Sequence, residues 1–195
     1  MRKAEITRNT AETDISVMLN LDGKYDSENK ITTGIGFLDH MLNLFAKHGN
    51  FDLAIDADGD LFVDCHHTME DIGITLGKAF YEALGDKKGI RRYCHEYVPM
   101  DEALARTALD ISGRAYLVFR AEFTAERIGD METECVEEFF RAFCDNAKIT
   151  AHIHILEGKN NHHIAEAIFK SFARALGGAV EVISDEIPST KGIIE

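Results

Sequence analysis

Two periods of apolar residues run through the chain and predict its elements. Ile15, Val17, Leu19 and Leu21 alternate with polar neighbours, the spacing of a half-buried strand. Strands are expected over residues 1–9 and 13–22, joined through Arg8-Asn9-Thr10-Ala11-Glu12-Thr13, with Asp22-Gly23 as a turn. After Gly34-Ile35-Gly36, apolar residues at Leu38, Met41, Leu42 and Phe45 predict a helix over 37–47. Phe51, Leu53 and Ile55 alternate as a further strand, and a helix follows from 66 to 84, stopping at Gly85.

The second half repeats the order. A strand is expected over 92–98, broken by Pro99-Met100-Asp101-Glu102. Residues 103–111 and 114–123 predict a hairpin around Ser112-Gly113. A helix over 132–148 carries Val136, Phe139, Phe140 and Phe143. Ala151, Ile153 and Ile155 alternate as a strand, with His152 and His154 on its other face, and a last helix spans 162–176. Each half thus runs strand, strand, helix, strand, helix. Leu19-Asn20-Leu21-Asp22-Gly23 echoes Leu109-Asp110-Ile111-Ser112-Gly113, and His40, five before Phe45, echoes Glu138, five before Phe143. The pattern predicts an α+β fold made by duplication. Two small sheets, each backed by two helices, form one unit over 1–195, with repeats of about 1–91 and 92–195.

The repeat also carries the chemistry. His66-His67-x-x-Glu70 opens one helix and His162-His163-x-x-Glu166 opens the other. Positions i and i+4 share a helix face, so His66 pairs with Glu70 and His162 with Glu166. His67 and His163 lie about 100° further around the axis and point to a second ion. Each copy alone has too few ligands, so two metal sites drawing on both halves are expected. His40 and Glu138 complete them by their equivalent positions. One set is His66, Glu70, Glu138 and His163; the other is His40, His67, His162 and Glu166. Mixed imidazole and carboxylate without sulfur suits Mn²⁺, Fe²⁺ or Zn²⁺ better than Cu(I) or Ca²⁺, and an open coordination position would make the sites catalytic.

Composition narrows the partners. The chain has 195 residues, 45% of them apolar, with 21 basic against 34 acidic residues and a net charge of −13. This argues against nucleic acid or an anionic membrane surface as partner, but not against a small anion held by a local basic cluster. Neither a signal peptide nor a membrane span is expected. The cysteines, Cys65, Cys94, Cys135 and Cys144, lack paired C-x-x-C spacing and are expected as reduced cytoplasmic thiols. Cys65 is either a ligand beside His66 or a small core residue.

Other residues have two readings. His48, His95, His152 and His154 have no partner pattern. Asp39 and Asp71, next to ligands, either hold an imidazole or lie on the helix surface. Ser189-Thr190-Lys191-Gly192 is an anion site or a solvated tail. Arg91-Arg92 and Arg114 bind a phosphate in bidentate fashion or stay exposed. Lys170, four residues after Glu166, faces the metals or forms a surface pair.

Several motifs together resemble the imidazoleglycerol-phosphate dehydratase family, lyases of histidine biosynthesis, across residues 8–192. They are Arg8-x-Thr10-x-Glu12-Thr13, Gly34-Ile35-Gly36-Phe37-Leu38-Asp39-His40-Met41, Asp64-Cys65-His66-His67-Thr68-Met69-Glu70-Asp71, Pro99-Met100-Asp101-Glu102, Asp110-Ile111-Ser112-Gly113-Arg114, His162-His163-Ile164-Ala165-Glu166-Ala167 and Ile187-Pro188-Ser189-Thr190-Lys191-Gly192. The resemblance implies a duplicated fold like the second domain of ribosomal protein S5. It implies two Mn²⁺ per active site and a homo-oligomer, a shell of 24 subunits built from trimers, with sites between subunits. Arg92, Arg114, Lys170, Ser189 and Lys191 would hold the substrate phosphate, and Glu12 would be a catalytic carboxylate. Many members have His where this chain has Glu138, which can still ligate Mn²⁺.

The implied reaction dehydrates D-erythro-1-(imidazol-4-yl)glycerol 3-phosphate to 3-(imidazol-4-yl)-2-oxopropyl phosphate, through an imidazolate and a diazafulvene. Glu12 is the expected base at C2, and Glu166 or a metal-bound water the expected proton carrier. The competing classes are another dimetal enzyme, such as a phosphate-ester hydrolase, and a non-catalytic metal-storage shell.

Overall fold

The computed structural model describes residues 1–26, 28 and 30–194. The first repeat holds β1 (Lys3–Asn9), β2 (Thr13–Asn20), the two-residue β3 (Ile31–Thr32), α1 (Gly36–Gly49), β4 (Asp52–Gly59) and α2 (His66–Leu84). Its sheet has the order β1-β2-β4-β3, antiparallel except for the parallel pair β3/β4. The second repeat holds β5 (Tyr93–Met100), β6 (Ala103–Asp110), β7 (Tyr116–Arg120), a small hairpin of β8 (Arg127–Ile128) and β9 (Met131–Glu132), α3 (Cys135–Ala147), β10 (Thr150–Glu157) and α4 (Asn161–Ala179). Its sheet, β5-β6-β10-β7, has the same topology, with β7 parallel to β10. The fold is α+β with a duplicated layout, as the periodicity predicts.

Three expectations are corrected. Residues 103–111 and 114–123 do not form a hairpin: β7 pairs with β10, and β6 lies on β10's other side. Gly113, at φ 78°, turns the chain away from β6, and the amide of Tyr116 donates to the carbonyl of Ile149. Period-two alternation identifies a strand but not its neighbour. Nor does Pro99 break β5. The strand runs on to Met100 because β5 is an edge, where alternate N–H groups point away from the sheet and a proline is tolerated. The hairpin turn is Asp101-Glu102, with Asp101 left-handed at φ 49°. The helix expected from 132 starts only at Cys135, because residues 131–132 are spent in β9.

The inward faces of β2 and β6 alternate buried and partly exposed residues along their whole length. Each sheet buries that face on its own helices, and the helices then pack across the repeats, α1 on α4 and α2 on α3. The order is sheet, helices, helices, sheet. Where the four helices meet, Phe45, Phe80 and Phe172 surround Phe143 at centroid distances of 6.3, 5.6 and 5.3 Å. All four rings are fully buried. Edge-to-face and tilted contacts of this kind add about 0.5–1.5 kcal/mol per pair beyond area burial. Among the described residues no helix is long and apolar enough to cross a membrane.

The helix pairs are close because glycines face backbone. A Cβ on Gly77 would stand 2.6 Å from the carbonyl oxygen of Phe143, and one on Gly73 would stand 2.6 Å from that of Phe139. On the other pair, a Cβ on Gly177 would lie 2.5 Å from the carbonyl oxygen of Gly49. A backbone atom cannot swing aside as a side chain can. Gly77→Ala is therefore expected to lower stability by about 1–3 kcal/mol, the usual cost of overpacking, seen as a lower denaturant midpoint. Lys78→Ala, one residue along on the exposed face, should leave the midpoint nearly unchanged. Equal midpoints for both variants would refute the close α2/α3 approach.

Candidate functional site

Three helix starts carry the predicted ligands. At α4, the Asn160 side chain caps the helix, accepting from the amides of His162 (2.9 Å) and His163 (3.4 Å). This is the ordinary N-cap role of Asn. At α2, the Asp64 carboxylate accepts from the amide of His66 at 2.9 Å. At α1, the cap comes from the other repeat: Asp130 accepts from the amides of Gly36 (2.6 Å) and Phe37 (3.1 Å). Burial works to raise the Asp130 pKa, but these backbone bonds leave it lowered.

The packing of α1 on α4 brings His40, His162 and Glu166 together, with their donor atoms all within 4.8 Å of one another. Glu166 Oε2 lies 3.1 Å from His162 Nε2 and 3.6 Å from His40 Nε2. Phe37 lies edge-on to the His162 ring at a centroid distance of 5.0 Å. Glu166 is buried, which works to raise its pKa. The ion pair with Lys170 and the hydrogen bond with His162 outweigh that and leave the pKa lowered. Lys170 thus faces the metal ligands, the first of its two expected positions. Two imidazoles and a carboxylate converging without sulfur fit a divalent ion such as Mn²⁺.

His67, the fourth member of that set, lies elsewhere within one chain. Its Nδ1 is 3.0 Å from Asp60 and 3.7 Å from Glu12, and the Asp60 hydrogen bond raises its pKa. The other set, His66, Glu70, Glu138 and His163, is not gathered in a single chain. Glu138 pairs with Arg141 at 3.4 Å. His66 Nδ1 lies 4.0 Å from the Cys135 sulfur. His163 Nδ1 is 2.6 Å from Glu102, with Asp101 at 3.6 Å from its other nitrogen. The Glu102 contact raises the His163 pKa. The Asn160 amide, then His163, pull Glu102 down to about 2.

The carboxylates holding imidazoles are Asp60 and Glu102, not Asp39 and Asp71. Asp39 accepts from the amide and hydroxyl of Thr33 at 2.8 and 2.7 Å. Asp71, buried rather than on the surface, accepts from the Thr13 hydroxyl at 2.5 Å and pairs with Arg8 Nε at 2.8 Å. It therefore fastens both ends of the Glu12 loop to α2. Within the loop, Thr10 Oγ1 accepts from the amides of Glu12 and Thr13, and the Glu12 carbonyl accepts from the amide of Asp60. Glu12 itself stays exposed on a groove shared with Asp60 and Phe62. The Thr68 side chain fills the space a Cβ on Gly59 would need.

Four of the five expected phosphate residues line one cleft. Arg92, Arg114, Ser189 and Lys191 surround a volume of about 580 Å³ with Ser112 and Gly113, within the range of small-molecule sites. Arg92 is held by Asp110 (2.7 Å) and the Pro188 carbonyl (2.7 Å), and the Asp110 contact raises its pKa. Lys170 does not line this cleft, because it is engaged with Glu166. Sequence reasoning gave no role of their own to Asp60, Glu102 and Asp130: Glu102 and Asp130 serve groups 61 and 94 residues away, and Asp60 reaches His67 from a turn seven residues before it.

A duplicated α+β fold, a His–His–Glu cluster at a helix seam and a basic cleft occur together in this chain. The chain belongs to the imidazoleglycerol-phosphate dehydratase family, whose model matches residues 33–176. The dehydratase of Caldanaerobacter subterraneus subsp. tengcongensis is 61% identical over the full length of both chains. That of Clostridioides difficile is 56% identical, also over the full length of both. Among solved structures, the dehydratase of Staphylococcus aureus superposes with a TM-score of 0.83 at 46% identity, covering 92% of this chain and 99% of that one. The Pyrococcus furiosus dehydratase, solved in complex with (S)-C348, gives 0.83 at 36% identity, covering 96% and 99%. The chain is thus a hydro-lyase of histidine biosynthesis by family.

In metal-free protein, His163 is expected to titrate above the ordinary histidine range. Glu102→Gln removes the negative charge that favours the imidazolium, so the His163 pKa should fall. Hydrogen exchange at the imidazole C2 position, followed by mass spectrometry across pH, reads this directly. A His163 value indifferent to Glu102→Gln would refute the pairing.

Proposed function

We propose that the chain dehydrates D-erythro-1-(imidazol-4-yl)glycerol 3-phosphate to 3-(imidazol-4-yl)-2-oxopropyl phosphate. The convergence of His40, His162 and Glu166 is the observation that carries this reading. It offers a cation site for the substrate's imidazole in a chain that also presents a free carboxylate and a basic cleft. Two Mn²⁺ ions held by the two ligand sets would supply Lewis acidity to the imidazole ring and favour loss of its N–H proton.

The chain's own groups do the rest. The C1 hydroxyl leaves as water with the proton shed by the ring, Glu12 then takes the proton from C2, the ring regains an N–H proton, and the resulting enol becomes the ketone. Glu166, kept anionic by Lys170 and His162, carries a proton between ring and solvent. Arg92, Arg114, Ser189 and Lys191 grip the phosphate and fix C2 against the base. Lys170 acts through Glu166 rather than from the cleft. Because His67 stands apart from His40, and His66, Glu70, Glu138 and His163 stand apart from one another, we infer that each set is completed between subunits. A homo-oligomer, a shell of 24 built from trimers, meets that need, and it would work in the cytoplasm with thiols reduced.

Chelator-stripped protein should not turn over the substrate, and Mn²⁺ should restore activity with phosphate retained on a ketone product. Released inorganic phosphate would mark a hydrolase instead, and no turnover by folded, Mn²⁺-loaded protein would sink the assignment. Glu12→Gln should lower kcat by at least about 100-fold, the scale of general-base loss, with little change in KM. Asp71→Asn should lower kcat by about 10-fold or more, the scale of removing a supporting hydrogen bond. It should cost nothing further in the Glu12→Gln background. Equal losses in both backgrounds would show that Asp71 does not act through Glu12. Lys191→Ala should raise KM by roughly 10-fold or more, as expected for a lost charged hydrogen bond; an unchanged KM would refute the clamp.

A further inference from the structure

The seam between α2 and α3 carries a second group of donors that the dehydratase chemistry does not use. Cys65, the residue before α2, and Cys135, the first residue of α3, face one another with Glu132 of β9 between them. The two sulfurs and a Glu132 oxygen all lie within 4.8 Å of one another. Both cysteines are almost fully buried, at 3% and 1% exposure.

Two of the donors are fixed reciprocally by backbone. The Cys65 amide donates to Glu132 Oε2 at 3.2 Å, and the Glu132 amide donates to the Cys65 sulfur at 3.4 Å. Arg127 pairs with the other Glu132 oxygen, leaving Oε2 turned to the cysteines. An N–H aimed at a cysteine sulfur is the kind of outer contact that orients a thiolate ligand.

We propose that Cys65, Cys135 and Glu132 form a buried site for a thiophilic divalent cation of the zinc class, separate from the imidazole–carboxylate sites. Tetrahedral zinc with Zn–S bonds near 2.3 Å holds its sulfurs about 3.8 Å apart, so small side-chain rotations close the present arrangement. The donor class sets the choice of ion: thiolate selects zinc-like ions, whereas imidazole with carboxylate suits manganese. On binding, each thiol gives its proton to solvent and each sulfur forms one bond to the ion, with no change of oxidation state. The bound ion ties the start of α2 to the start of α3, beside the ligand pair His66 and His67.

The test titrates Co²⁺ into the intact, Mn²⁺-loaded protein under a phosphine reductant. Cobalt that enters the imidazole–carboxylate sites gives no thiolate band, so the readout is specific. A near-ultraviolet thiolate-to-cobalt band should grow to one equivalent per chain and be reversed by Zn²⁺. It should disappear in Cys135→Ser and persist in Cys144→Ser, whose cysteine is buried elsewhere in α3. As a second readout on the unaltered chain, Cd²⁺ should protect Cys65 and Cys135 from alkylation, mapped by mass spectrometry. No band in folded protein would overturn the proposal. So would a band that survives Cys135→Ser, protection mapping to Cys94 or Cys144, or a Cys65–Cys135 disulfide forming in place of the complex.

Discussion

The close packing of helices between the two repeats is the constraint on which both donor clusters depend. The His40–His162–Glu166 and Cys65–Glu132–Cys135 clusters each draw on both repeats, unlike Glu12, Asp60 and His67, which gather within the first. His40 comes from α1 and His162 with Glu166 from α4, so that cluster exists only because α1 lies on α4. The glycines make this possible: with Gly177 against the Gly49 carbonyl, the helices approach closely enough for side chains roughly two to four turns away to converge. The other seam works the same way. Gly73 and Gly77 let α2 settle on the backbone of α3, and its N-terminal end brings Cys65 to Cys135. The phenylalanines around Phe143 then fill the middle of the junction.

Duplication makes the two seams topological equivalents, but their chemistry has diverged. On α1/α4 the helix ends present imidazole and carboxylate. On α2/α3 the corresponding region presents two thiols and Glu132, while Glu138 turns to Arg141. The thiols stand in addition to His66, Glu70 and Glu138, which hold the positions equivalent to His162, Glu166 and His40, so this seam adds sulfur donors without changing how the helices meet. A rotation of Glu138 away from an exposed ion pair costs little, since such pairs contribute at most about 1 kcal/mol.

Much of this was legible in the sequence because it is periodic. The alternation along β2 and β6, the 66–84 helix and the repeated His-His-x-x-Glu pattern all follow from side-chain direction alone. The strand partner of β7 and the tolerance of Pro99 did not follow, since both depend on position in the sheet rather than on local pattern. Of the two readings open for Asp39 and Asp71, contact with an imidazole does not occur: they bond Thr33, Thr13 and Arg8 instead. The imidazoles are met instead by Asp60 and Glu102, which arrive from turns.

Those turn carboxylates share a physical role. A cation site is a place where acidic groups and imidazoles are held close, and without the ion that proximity must be balanced by protons. His67 beside Asp60 and His163 beside Glu102 both have raised pKa values for this reason, while Lys170 and His162 keep Glu166 ionised. Ion binding must displace protons from the imidazoles that serve as ligands, so affinity falls as pH falls. For His163 the same shift bears on folding. Its raised value contributes stability at pH below the unfolded histidine pKa, and that contribution disappears as pH rises through the folded value. Raising the pH from mildly acidic to mildly alkaline therefore weakens the metal-free chain's His163–Glu102 contact while freeing that imidazole to ligate. The paired carboxylates Asp60 and Glu102 hold these histidines in place.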